Sequence, residues 1–360
     1  MADRARVLIV DDSRIFRAAL EQALAGQDGI EVAGSVWSGA KALEFVQATP
    51  PDLVTLDVEM PGLNGLEVLR AIQRLNAARP EAPPVGVIMV SAFTREGAAV
   101  TIEALEAGAF DFVTKPAGPS PEANLDALRQ QLAVKVRHFL AGRKPPAAPA
   151  GRAQPPPAAH PRPARLVRMV LIAVSTGGPR ALGTLLPDLC ARVELPVLVV
   201  QHMPPPFTLS LAESLDRKCR HTVIEARDGE VVQPRTVYLA PGGKHLLLRG
   251  GAGGSALTAL NEQPPENGCR PSADVLFRSA AAVVGGAAVA LVLTGMGCDG
   301  SQGLGPLKRA GAHVIAQDEA SSVVWGMPGS AVATGYVDEV LPLEQIPAAV
   351  AALVAPARSS

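Results

Sequence analysis

The sequence predicts two α/β domains, each built around a largely parallel sheet. Short continuous apolar runs, among them Val7–Val10, Leu53–Leu56, Val170–Val174 and Val197–Val200, alternate with stretches of helical period. A strand buried on both faces reads as such a run rather than as alternation. A proline-rich break, Gly142–Arg165, separates two such series. At 360 residues the chain has room for two or more domains, each with its own core.

The first series is legible element by element. Val7–Val10 is a buried strand, and a helix follows from Ser13 to Leu24. A short strand at Glu31–Ser35 precedes a helix from Gly39 to Gln47. Leu53–Leu56 is a buried strand, Leu66–Leu75 a helix, Val85–Val90 a strand and Gly97–Ala107 a helix. Phe110–Thr114 is the last strand and Asn124–Leu140 the last helix. This succession of βα units implies a flavodoxin-like, doubly wound sheet of five parallel strands across residues 1–141.

The break reads GRKPPAAPAGRAQPPPAAHPRPAR and holds no large apolar side chain. It cannot bury a core and is expected as an extended, semi-rigid linker over 142–165, with a docking site for proline-binding modules as the alternative. The second series, residues 166–355, reads as a doubly wound, mostly parallel α/β domain. No internal repeat is visible.

Composition excludes several classes of function. Hydrophobic residues make up 48% and charged residues 19%, a globular balance. The formal net charge of −1 gives no field toward nucleic acid or anionic lipid, and 3% aromatic residues give no stacking platform. Cys190, Cys219, Cys269 and Cys298 have no CxxC spacing and suit free thiols in a reducing cytoplasm. The N-terminus runs straight into a strand, with no signal peptide, and the apolar stretch near Ala280–Leu293 is broken by Gly285 and Gly286. A soluble cytoplasmic protein without membrane insertion is expected.

Polar residues collect where the first-domain strands end: Asp11 and Asp12, Asp57, Ser91 and Lys115. Crowded carboxylates stay ionised at neutral pH only beside a cation. A few hard oxygen ligands suit Mg²⁺, which can clamp a phosphoryl group. Lys115 then supplies a point charge for phosphate, Ser91 a hydroxyl, and Asp57 a carboxylate able to accept the phosphoryl group. Pro116 holds the turn after Lys115, a candidate for a cis bond. For any one residue, an acid or hydroxyl that caps a helix is the better account, as at Asp12 and Ser13; for all five together it is not. LIVDDSRIFR, LVTLDVEMPGLNGLEVL, IMVSAFT and GAFDFVTKP resemble a response-regulator receiver domain. The resemblance implies that Asp57 is phosphorylated by the histidine kinase of a chemosensory system. It also implies that Asp11, Asp12 and Asp57 bind Mg²⁺ with the Glu59 backbone carbonyl, that Ser91 and Lys115 are a switch pair, and that Phe112 is the aromatic switch position.

In the second domain three apolar runs end in residues that hydrolases use. Val170–Val174 ends at Ser175, Val197–Val200 leads through Gln201 to His202, and Ala288–Leu293 leads through TGMGC to Asp299. Ligands of open parallel sheets bind beyond the carboxyl ends of the strands, so the three could meet at one sheet edge. In VLIAVSTGGPRAL a strand runs into a helix starting near Pro179, whose unpaired N–H groups can face an oxyanion. Ala173 stands where the G-x-S-x-G elbow has glycine, and read alone Ser175–Gly178 fits an anion-binding loop equally well. Taken singly, His202 reads as a satisfied core or turn residue, and Asp299 fits a helix cap as well as a functional carboxylate. Together the three supply a nucleophile, its base and a carboxylate to fix the base.

The chain order Ser, His, Asp differs from that of the common hydrolases. STGGP, QHMP, YLAPGGKHL, RPSADVLFRSAA, LTGMGCDG and AQDEASSVVWGMPGSA resemble the catalytic domain of the chemotaxis protein-glutamate methylesterases. The resemblance implies Ser175 as nucleophile, His202 as base and acid, Asp299 as its orienter, the Met296 backbone amide as an oxyanion donor, and no cofactor for hydrolysis. It implies as substrate the γ-glutamyl methyl esters of chemoreceptor cytoplasmic domains, with receptor glutamines as a side substrate, and a receiver that blocks the cleft until phosphorylated. Cys298 reads as a small packing residue. Two rival readings are a receiver-gated esterase or deamidase of a protein outside chemotaxis, and a non-enzymatic phospho-adaptor.

Overall fold

A computed structural model describes residues 4–143 and 167–354. The chain divides into two compact units, Met1–Ala147 and Ala148–Ser360. Beyond Arg143 the proline-rich segment lies outside the described residues.

The first unit runs β1 (Ala5–Val10), α1 (Arg14–Leu24), β2 (Ile30–Val36), α2 (Gly39–Ala48), β3 (Leu53–Asp57), α3 (Gly65–Ala77), β4 (Gly86–Ser91), α4 (Arg95–Glu106), β5 (Asp111–Thr114) and α5 (Pro121–Arg143). Its five strands pair in the order β2-β1-β3-β4-β5, all parallel. That is the flavodoxin-like order. Val7, Ile9, Leu53, Ile88 and Val113 face Leu20, Leu24, Leu128, Leu132 and Val136 in one buried cluster. The helices begin where side chains cap them: Ser13 accepts from Phe16 N, Ser38 from Lys41 N, and Thr94 from Gly97 N. Asn64 and Glu67 form a capping box at α3. Helix α5 extends past the expected span at both ends, and its last two residues, Gly142 and Arg143, overlap the start of the expected linker. A proline suits the first helical turn, which accounts for the start at Pro121. Among the described residues the cis peptide bonds are Pro205–Pro206 and Arg270–Pro271, not Lys115–Pro116.

The second unit runs β6 (Met169–Val174), α6 (Gly178–Arg192), β7 (Val197–Gln201), α7 (Phe207–Asp216), β8 (Thr222–Glu225), β9 (Thr236–Leu239), β10 (His245–Gly250), β11 (Ala256–Asn261), α8 (Ala273–Val283), β12 (Ala288–Val292), α9 (Ser301–Ala310), β13 (His313–Gln317), α10 (Gly326–Ala333), β14 (Glu339–Leu341) and α11 (Ile346–Val354). Seven strands pair in the order β14-β13-β12-β6-β7-β9-β8, every pair parallel. Strands β10 and β11 form a separate antiparallel hairpin. The three predicted runs are neighbours at the centre: Ala173 pairs with Val292 on one side, and Val174 with Gln201 on the other. Their carboxyl ends therefore share one edge. Helix α8 buries Leu276, Phe277 and Ala280 against Leu171, Ala173, Ala290 and Val292.

No helix among the described residues is long and apolar enough to cross a membrane. Phe277 is fully buried in this core. Phe277→Ala is expected to cost the second unit about 3–5 kcal/mol, as transfer loss plus cavity, read as an earlier unfolding transition in urea.

Candidate active site

Asp299 follows β12 and is buried to 2% exposure. Each of its oxygens accepts two hydrogen bonds. Oδ1 accepts from Ser272 Oγ at 2.7 Å and Asp274 N at 3.2 Å; Oδ2 accepts from Ala273 N at 2.6 Å and His202 Nε2 at 2.7 Å. Asp299 does cap a helix, but it caps α8 rather than the α9 that follows it. Ser272, the N-cap residue of α8, makes no side-chain cap of its own. Asp274 in the first turn of α8 returns the arrangement, its Oδ1 accepting from Gly303 N in α9 at 2.6 Å. Burial, partly offset by that amide, raises the Asp274 carboxyl to about 6, and the Asp299 charge adds to the rise.

His202, the first residue past β7, is 12% exposed in its side chain. Burial works against a charged ring here, but the Asp299 hydrogen bond and Cys269 outweigh it and hold the imidazole above its ordinary range. Asp299 is correspondingly held low: burial opposes its charge, and His202, Ser272 and the Ala273 amide overcome that opposition. The other ring nitrogen, Nδ1, lies 3.6 Å from Cys269 Sγ.

Ser175, the first residue past β6, is half-buried. Its N–H donates to Thr294 O at 3.0 Å, and its carbonyl accepts from Gly178 N at 2.8 Å and from Gln201 Nε2 at 2.9 Å. The turn needs its glycines. Gly177 has φ +79°, and a Cβ on Gly178 would fall 1.8 Å from Gln201 Oε1. The N–H of His202 donates to Val174 O at 3.3 Å, which ties the two strand ends together. Among the described residues no hydrogen bond joins Ser175 Oγ to the His202 ring, whose partners are Asp299 and Cys269. Met296 is half-buried between β12 and α9, while Cys298 is exposed rather than packed.

Sequence reasoning missed Ser272 and Cys269. Ser272 sits inside RPSADVLF, where a serine before a helical run signals an N-cap; nothing local says that its hydroxyl points to another loop. Cys269 carries no signal beyond its place in a Gly-Cys-Arg-Pro turn.

In the first unit, Asp11 and Asp57 are buried and Asp12 is exposed. The cap of α1 is Ser13, so Asp12 is not needed for it. One oxygen from each of Asp11, Asp12 and Asp57 lies within 4.8 Å of the others. Lys115 Nζ reaches Asp11 Oδ2 at 2.8 Å and Asp57 Oδ2 at 2.9 Å. Burial raises the Asp57 carboxyl to about 6 despite Lys115 and an N–H from Glu59. Three hard oxygen donors in a partly open cluster fit Mg²⁺. Ser91 Oγ lies 3.2 Å from the carbonyls of both Ala92 and Gly97, which share its one proton. Phe112 is buried on β5, its ring centroid 5.8 Å from Lys135 Nζ.

Residues 170–350 match the CheB methylesterase family, and residues 7–125 match the response regulator receiver domain. A protein-glutamate methylesterase/protein-glutamine glutaminase of Desulfotalea psychrophila is 42% identical over 355 residues, 95% of this chain and 96% of the relative. One of the same name from Geobacillus kaustophilus is 44% identical over 357 residues, 97% and 98% of the two chains. The crystal structure of the Thermotoga maritima CheB methylesterase catalytic domain matches with TM-score 0.51 and 44% identity, covering 52% of this chain and 99% of that one. The chain belongs to the CheB methylesterase family of carboxylic ester hydrolases, with a response regulator receiver domain ahead of the hydrolytic domain.

Proposed function

We propose that this protein is a phosphorylation-activated, cytoplasmic hydrolase that demethylates γ-glutamyl methyl esters on chemoreceptor cytoplasmic domains. Receptor glutamines are a second substrate through the same acyl-enzyme. In this reading residues 1–141 are the receiver, 142–165 the linker and 166–355 the catalytic domain. The observation that carries the reading is the 2.7 Å contact of His202 with Asp299, at the ends of strands that flank or neighbour the strand of Ser175.

Ser175 Oγ attacks the ester carbonyl while His202 takes its proton. The Oγ–acyl bond forms, the acyl–methoxy bond breaks, and His202 returns the proton so that methanol leaves. Water then opens the acyl-enzyme by the same route. Asp299 fixes the tautomer with Nε2–H toward its own carboxylate, and the Met296 amide receives the oxyanion. With a glutamine, ammonia leaves in place of methanol.

In the first unit Asp57 accepts the phosphoryl group from a histidine kinase. Magnesium held by Asp11, Asp12 and Asp57, with the Glu59 carbonyl, would supply charge neutralisation for that transfer. Phosphorylation adds about two negative charges. Ser91 and Lys115 meet the new oxygens, and the face carrying Phe112 repacks. Hydrolysis itself uses no cofactor.

Methanol release from methylated receptor membranes tests the hydrolase. Ser175→Ala should lower the rate on the order of a thousandfold or more; an unchanged rate would leave only a phospho-adaptor. A small-molecule phosphodonor should raise the wild-type rate, whereas Asp57→Asn should give one rate with and without it. Equal wild-type rates in both conditions would remove the regulatory role. Because Asp299 and Cys269 favour the protonated ring, kcat/KM should rise with pH beyond the ordinary imidazole range. A plateau already reached below that range would contradict the assignment of the base.

A further inference from the structure

Cys269 Sγ lies 3.6 Å from His202 Nδ1, while Nε2 is bonded to Asp299 Oδ2 at 2.7 Å. A neutral imidazole has one nitrogen able to accept a proton. With Nε2–H donated to Asp299, that nitrogen is Nδ1. On the hydrolase reading above, on which this inference rests, Nδ1 must then receive the proton of Ser175. The thiol and the nucleophile need the same atom.

We propose that Cys269 is a positioning residue of the hydrolytic site: its thiol occupies Nδ1 of His202 in the resting enzyme, and the ring turns to Ser175 when that contact opens.

The thiol is held there by structure. Glu266 and Cys269 exchange two backbone hydrogen bonds, at 3.0 and 2.9 Å, across a two-residue turn. Asn267 and Gly268 at its centre have φ of 52° and 75°, the left-handed pair that an Asn-Gly turn supplies. Arg278 on α8 grips Glu266 through two contacts, at 2.6 and 2.5 Å, and Asn267 Nδ2 donates to Asp274 Oδ2 at 2.9 Å. The turn is thus fastened to the helix whose first amides hold Asp299. Thiol, ring and carboxylate share one support.

The contact withholds the base in either protonation state. A protonated ring donates Nδ1–H to sulfur and has no lone pair to offer, and this is the state that Cys269 favours; a neutral ring accepts from the weakly donating thiol, which fills the lone pair. The ionisable groups that bear on the ring are Asp299, from the loop after β12, and Cys269, from the turn before α8. A sulfur hydrogen bond is weak, so an arriving substrate can displace it. Alanine removes both the competitor and its support for the charged ring.

The test uses the full chain with Cys269→Ala and Cys269→Ser. NMR titration of the His202 ring and the pH dependence of kcat/KM for methanol release are measured together. Alanine should move both the ring titration and the acid limb down by about one pH unit, and serine should move them part of the way. A ring that titrates in Cys269→Ala as in wild type, with an unmoved acid limb, overturns the proposal. Should the alanine variant fail to fold, the serine variant decides by the same two readouts. The ring titration needs no turnover. A failed hydrolase reading would show as no Ser175-dependent methanol from wild type, whereas failure here would show as an unmoved ring.

Discussion

A carboxylate buried at 2% exposure is tolerated only when its oxygens are satisfied, and Asp299 meets that demand with four donors from three sources. Two are backbone amides in the first turn of α8, one is the Ser272 hydroxyl and one is the His202 ring. Because the first three are fixed by the helix, the carboxylate anchors the Nε2 end of the ring. The imidazole stands where it does because the carboxylate cannot move. Asp274 extends the constraint, since a residue of the helix that Asp299 caps in turn caps α9. Two helix N-termini and two acids lock each other, and the His202 contact is their outward product.

The receiver solves a related problem with different means. There the clustered acids lie at strand ends too, but a lysine rather than a helix terminus offsets their charge. Lys115 sits within 2.9 Å of both Asp11 and Asp57. A mobile ammonium suits a site where charge must change, as a phosphoryl group comes and goes. Fixed amides suit a site where one tautomer must persist. The two units thus use the same edge of the same kind of sheet for opposite demands on the local field.

Strand ends were the most readable part of both sites. Continuous apolar runs located β6, β7 and β12, and the residues just past them were Ser175, His202 and the loop to Asp299. The runs could be read because burial on both faces leaves no alternation. The hairpin β10–β11 and the turn at Glu266–Cys269 were not read, because the two short strands mix buried and exposed positions without a continuous apolar run of comparable length and the turn is polar. Ser272 was missed for a sharper reason. A serine before a helix normally caps that helix, and only the arrival of a loop almost thirty residues later reverses its hydrogen bond.

The sequence by itself determined which side chains stand at strand ends, because hydrophobic periodicity is a local property of the chain. It also determined the family, through motifs spread along both halves. Only the tertiary structure decided which groups touch. Asp299 reached α8 rather than α9, Cys269 arrived at His202 Nδ1, and Lys115 settled between two aspartates. Those contacts depend on loops from distant segments being held in one place by packing and by the need to satisfy buried charge, and no local pattern encodes that meeting.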